Sequence, residues 1–117
     1  MFDRELAKTE VTEFEPLVVS LPGSWDPAMA IVASRCSATG LLDLTHVPDA
    51  ARALPAVEHL CAQAEGRFGV ILEAERPDIY APVCDRLPSG ATVLVDGWDR
   101  EALAVCLKAL QVRTNNI

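Results

Sequence analysis

The side chains able to do chemistry in this chain stand directly behind short apolar runs. Ser20 closes Leu17-Val18-Val19 and leads into Leu21-Pro22-Gly23. Thr45 and His46 follow Leu41-Leu42-Asp43-Leu44, and Glu73 and Glu75 follow Val70-Ile71-Leu72. Asp96, Gly97, Trp98 and Asp99 follow Val93-Leu94-Val95. An imidazole, with an ordinary pKa of about 6.5, suits a general base, so His46 is a candidate. Glu73 and Asp96 together suit a paired-carboxylate acid and base. Trp98 suits a stacking surface or a lid equally well. Taken singly, each also reads as a solvated loop residue. His59, beside Glu58 in a helical stretch, reads as solvent-facing.

Motifs with a built-in mechanism are absent from the sequence. Gly23 stands alone, outside any G-x-G-x-x-G or G-x-x-x-x-G-K pattern, and neither G-x-S-x-G nor H-E-x-x-H occurs. Cys36, Cys61, Cys84 and Cys106 are widely spaced with no C-x-x-C pair. That spacing suggests neither zinc nor a redox pair. Each falls in a different helical stretch and reads as a small residue buried against a sheet.

The elements that must position these residues follow from the apolar runs, which recur at a spacing of roughly 25 residues with a turn and a helical pattern after each. Strands are expected at 16–21, 41–44, 68–73 and 91–96. Asp26-Pro27 opens the first helix, which runs to about Ser37, and Gly40 ends the connection. Pro55 predicts a short turn over 49–53 and a main helix starting near residue 55 and running to about Ala64, with Gly66 as its stop. Tyr80, Val83, Cys84 and Leu87 keep a helical period that Pro82 should shorten or distort. Asp99 caps a last helix whose apolar stripe is Leu103, Leu107 and Leu110. Alternating strands and helices predict a parallel sheet, with ligands at the C-terminal ends of the strands. The expected fold is therefore α/β, with four successive βα units resembling half of a (β/α)8 TIM barrel. Residues 1–14 read as a flexible lead-in and 15–117 as the half-barrel domain, with Gln111 to Ile117 showing no strand pattern.

Composition narrows the function classes. The chain has 117 residues, half of them apolar, and a net charge of −7. That size allows one domain with a real core. The acidic balance works against nucleic acid, which needs a Lys/Arg surplus, and against anionic membrane surfaces. No stretch reaches the roughly 18 apolar residues of a membrane span. The N-terminal stretch carries Asp3, Glu5, Glu10, Glu13 and Glu15, unlike a signal peptide, so a cytoplasmic protein is expected.

One stretch resembles a known family. Leu17-Val18-Val19-Ser20-Leu21-Pro22-Gly23, Asp26-Pro27, Ala30 to Gly40 and Leu41-Leu42-Asp43-Leu44 are similar to the opening of the nitronate monooxygenase family. These are 2-nitropropane dioxygenase-like flavin barrels, one form of which stands at the N-terminus of some bacterial polyketide synthases. Phe68-Gly69-Val70-Ile71-Leu72 resembles the family's third strand, with Ile71 where the family often has Asn. Leu87-Pro88-Ser89-Gly90 and Gly97-Trp98-Asp99-Arg100 fit its fourth unit. The resemblance implies an FMN-dependent oxidoreductase barrel. It implies flavin contact through the backbone of Leu21, Pro22 and Gly23, where glycine permits close approach. It also implies that the phosphate site and the catalytic histidine lie in the later half of the barrel.

Two readings follow. In the first, the chain is an N-terminal half-barrel, inactive alone, whose partner is the missing half or a second copy of itself. In the second, it is a small independent α/β binding or interaction domain.

Overall fold

The computed structural model describes residues 16–114; the expected lead-in over 1–14 lies outside them. The order is β1 (Leu17–Val19), α1 (Ala28–Arg35), β2 (Thr39–Asp43), α2 (Ala50–Gln63), β3 (Phe68–Glu73), α3 (Pro77–Arg86), β4 (Thr92–Asp96) and α4 (Arg100–Thr114). The strands form one parallel sheet in the order β1-β2-β3-β4. This is the α/β arrangement of four βα units expected from the runs, and it matches the geometry of half a TIM-type barrel.

Side-chain alternation along the strands divides the sheet into two faces. Leu42 and Leu44 of the second unit and Val70 and Leu72 of β3 pack with residues of α1 to α4 in a single core. Val93 and Val95 of β4 join that core as partly buried members. Successive helices touch their neighbours, α1 to α2, α2 to α3 and α3 to α4. The helices thus form one layer on one face. Leu17, Val19, Leu41, Ile71 and Leu94 alternate onto the other face and are outside the helix-side core.

Several boundaries differ from the sequence expectation. Gly40 lies inside β2 rather than ahead of it, because a Cβ there would stand 1.9 Å from the Ala30 carbonyl oxygen of α1. Gly66 serves a similar close approach, with its Cβ position 2.2 Å from the Ser34 oxygen, and is not a left-handed helix stop. Helix α2 is continuous from Ala50 through Pro55. Asp49 caps it by accepting from the Arg52 amide at 3.0 Å, and Ala53, Val57 and Leu60 bury its inner face. That burial outweighs the one hydrogen bond lost at the exposed Pro55. Pro82 likewise sits inside a regular α3, which starts on Pro77. Helix α1 ends at Arg35, and Ser37 follows at φ 65°.

The cysteines divide by depth. Cys106 is buried, Cys61 and Cys84 are half-buried, and Cys36, at the C-terminal cap of α1, is exposed rather than packed on the sheet. No disulfide joins any of them. Among the described residues no helix is long and apolar enough to cross a membrane.

Candidate functional site at the strand ends

The C-terminal ends of the strands carry a connected polar rim. Ser20 follows β1, and its amide donates to the Leu41 carbonyl at 2.9 Å, extending the ladder by one bond. Its hydroxyl oxygen accepts from the Asp43 amide at 2.9 Å. Asp43 closes β2, and its Oδ1 accepts from both the Thr45 amide (2.9 Å) and the Thr45 hydroxyl (2.6 Å). All three residues are buried, and a buried carboxylate needs such donors. The Thr45 carbonyl in turn accepts from Trp25 Nε1 at 3.4 Å.

The next connection crosses to β3. His46 takes the left-handed conformation at φ 66°, and its amide donates to Glu73 Oε1. The ladder sets Glu73 opposite Asp96, so the two carboxyl-bearing residues suspected from sequence are neighbours at the rim. Glu75 Oε2 accepts from the Asp99 amide at 3.3 Å, fastening the β4–α4 turn. Asp99 then caps α4 through the Glu101 amide at 3.0 Å. The His46 side chain is exposed, and so is that of His59 on α2. Trp98 is 90% exposed, a surface ring and not a cover.

Leu21, Pro22 and Gly23 form an exposed turn beside this rim. The Leu21 carbonyl accepts from the Ser24 amide (3.3 Å) and hydroxyl (2.9 Å). Gly23 has φ 81°, and nothing lies within 4 Å of where its Cβ would stand, so its backbone is open to a flat ligand.

The electrostatics are acidic. Asp43, Glu73, Glu75, Asp96 and Asp99 all belong to the rim. The nearby Arg76 is engaged by the Val47 and Pro48 carbonyls (both 3.1 Å) and by Asp78 (2.8 and 3.0 Å). That forked hydrogen bond holds the Asp78 carboxyl below its usual range and the Arg76 guanidinium above its own. Such a rim favours neutral or cationic polar groups over anions. Among the described residues no group of His, Cys, Asp and Glu has the geometry to hold a metal ion.

FMN makes two demands, an open backbone edge for its ring and a set of donors for its phosphate. The 21–23 turn meets the first. The carboxylate rim does not meet the second, and Ile71 offers no polar group from β3.

A cavity of about 410 Å³ lies at the opposite end, lined by Ser34, Arg35, Ser37, Glu65, Gly66 and Arg67. There Arg35 donates to the Gln63 carbonyl (2.7 and 3.2 Å) and pairs with Glu65 at 3.6 Å. Its charge therefore ties α1 to the end of α2, at the strand N-termini where conservation of fold rather than chemistry is expected.

Two rim members were not singled out from sequence. Asp43 stands within a strand run of the sequence, and Trp25 carries no reading there. The signal was available for Asp43, because a carboxylate within Leu-Leu-Asp-Leu has to find donors once buried. Trp25 left none, since its partner lies 20 residues away. No family model, no curated protein and no solved structure matches this chain.

Proposed function

We propose that this chain is one arc of a (β/α)8-type barrel that contributes the strand-end rim of a ligand site completed by further βα units. The observation that carries the reading is the uninterrupted strand order β1-β2-β3-β4 with all the described helices in one layer. A doubly wound sheet reverses its strand order and binds ligands in the resulting crevice. Without a reversal that crevice does not exist, and the remaining site is the strand-end rim of a singly wound sheet.

On the resemblance of 17–44 and 68–72, the completed barrel is an FMN-dependent oxidoreductase of the nitronate monooxygenase kind. Bound flavin would supply the electron-accepting chemistry. This arc's share is positional: the Leu21-Pro22-Gly23 backbone would lie against the ring, and the Ser20–Asp43–Thr45 network would hold that turn's strand in register. Because this rim is acidic it offers the phosphate no donors, so the arc's contact would be with the ring alone.

Titration with riboflavin and with FMN, read by flavin fluorescence, tests the assignment. Ring contact alone predicts weak and equal binding of both, reduced at least threefold by Gly23→Val. Binding of neither flavin, or a strong preference for FMN, overturns it.

The competing reading, a self-contained interaction domain, draws on α4, which docks through Cys106 and Leu110. A monomer with a sharp thermal melt that does not bind a hydrophobic dye would favour it.

A further inference from the structure

The described exposed large apolar side chains lie in the first and last βα units. Leu17, Val19 and Leu21 belong to β1 and its turn, and Met29 and Val32 to α1. Leu94 belongs to β4, Trp98 to the following turn, and Val105 and Leu107 to α4. In contrast, β2 is buried along its whole length. Apolar exposure is thus concentrated at the two open ends of the arc.

The two ends are complementary. At the β1 end, Met29, Val32 and Cys36 fall at i, i+3 and i+7, one stripe of a helix. With Val18 and Ala38 they line an entirely apolar groove of about 390 Å³. The opposite flank of α1 is occupied, because Arg35 reaches Gln63 of α2. Among the described residues, the groove is therefore the flank of α1 with no neighbouring helix.

At the β4 end, α4 presents the matching surface. In α2 the core residue is Val57, and the residues one and four positions later, Glu58 and Cys61, meet Arg86 of α3. In α4 the core residue is Cys106, and the corresponding positions are Leu107 and Leu110. At 100° per residue, Leu107 therefore occupies the flank on which the next helix of a barrel would sit. It is 49% exposed. The stripe Leu103, Leu107 and Leu110 is thus divided, with Leu110 and Leu103 turned into the core and Leu107 left over.

We propose that the occupant of both ends is a second copy of this chain. This rests on the barrel-arc reading. A twofold axis parallel to the strands sets each copy's β4 beside the other's β1 in parallel, and each α4 flank in the other's α1 groove. Four strands and four strands make eight, the number at which side chains alone fill the interior. Both edges then disappear, which removes the aggregation hazard of two unpaired strands. The interface is closed and self-complementary. In projection the four-stranded face offers about 300 Å² and each helix seam about 180 Å². Pleating adds to this, which brings closure to the order of the ~800 Å² per partner of stable dimers.

The test is light scattering of the full chain over a concentration series, with circular dichroism as a check on folding. The expected result is a species of twice the 12.6 kDa chain mass. Leu107→Glu and Val32→Glu, both at exposed positions, should each weaken it at least tenfold and leave the dichroism unchanged. His59→Glu, on the exposed side of α2, should have no effect. A dimer insensitive to Leu107→Glu and Val32→Glu, or growth past two copies, overturns the proposed closure. A monomer at every concentration also overturns it, and a hydrophobic dye then separates two cases. Dye binding leaves the arc reading standing with a different partner, whereas a sharp melt without dye binding removes both.

Discussion

The inner two βα units and the outer two have the same kind of strand and very different surroundings. On the face away from the helices, Leu41 of β2 is fully buried, whereas Leu17 of β1 is 55% exposed and Leu94 of β4 is 40% exposed. On the helix face, Leu42 and Leu72 of β2 and β3 are fully buried, whereas Val93 and Val95 of β4 are only partly so. All four strands stand in near-continuous apolar runs, the pattern of a parallel strand covered on both faces. The runs therefore record a burial that the inner units achieve within the chain and the outer units do not. An apolar run specifies that a strand will be covered; it does not specify by what.

Truncating one leucine of each kind breaks or sharpens that contrast with the largest effect. Leu72→Ala should cost about 2–5 kcal/mol, from lost transfer energy and a residual cavity. Leu94→Ala should cost under about 1 kcal/mol in a monomer, since much of its surface is already wet. Urea denaturation at low protein concentration measures both. Equal costs would mean that Leu94 is covered in solution and that the two regions do not differ. If the cost of Leu94→Ala rises with protein concentration, the cover is a second chain, since only association makes stability depend on concentration.

The joint between an outer and an inner unit gives a smaller effect. Ser20 lies at the end of β1, and its hydroxyl oxygen satisfies the amide of Asp43 at the end of β2. Ser20→Ala should cost about 1–3 kcal/mol, because the buried amide keeps its desolvation penalty and loses its acceptor. Ser24→Ala, in the exposed turn four residues on, should cost no more than about 0.5 kcal/mol. Amide hydrogen exchange at Asp43 supplies a second measurement, with faster exchange expected in Ser20→Ala only. If exchange there is unchanged, β1 is not fastened to β2 through this hydroxyl.

The sequence was most legible where the controlling forces are local. The span of β3, Phe68–Glu73, follows from an apolar run between Gly66-Arg67 and a charged turn, and the structure places it there. Asp99 caps its helix, as its side-chain chemistry predicts, whereas Asp49 caps α2 where the sequence pattern points to a short turn. Legibility failed where the reason for a residue lies far along the chain. Gly40 and Gly66 read as loop punctuation, yet each is small because α1 passes over it. Pro55 read as a helix start because the compensating burial of Val57 and Leu60 cannot be seen from Pro55 itself. At the rim, the positions of His46, Glu73, Asp96 and Asp99 followed from the strand ends. The bonds joining Ser20 to Asp43 and His46 to Glu73 did not, since they span 23 and 27 residues.

The cysteines sharpen the contrast at the least cost in stability, because they report cover without any substitution. Cys36 lies on the open flank of α1 and is exposed, whereas Cys106 lies on the inner face of α4 and is buried. Burial, helped by the charge of Glu75, pushes the Cys106 thiol above its ordinary pKa, so it is both inaccessible and protonated. Cys36 should react with a thiol reagent at close to the rate of a free thiol, and Cys106 only on unfolding. The raised pKa also has a stability consequence. Below the ordinary thiol range of about 8.5 the folded and unfolded chains hold the same proton, and stability does not depend on it. As pH rises past that range the unfolded chain releases the proton first, and stability falls until the folded thiol also ionises. Cys106→Ala should therefore flatten the alkaline limb of a stability–pH curve. Labelling of Cys36 that slows as protein concentration rises, with Cys106 unaffected, would locate the cover on the α1 groove. Labelling of Cys36 that is fast at every concentration would mean that the outer flank stays open.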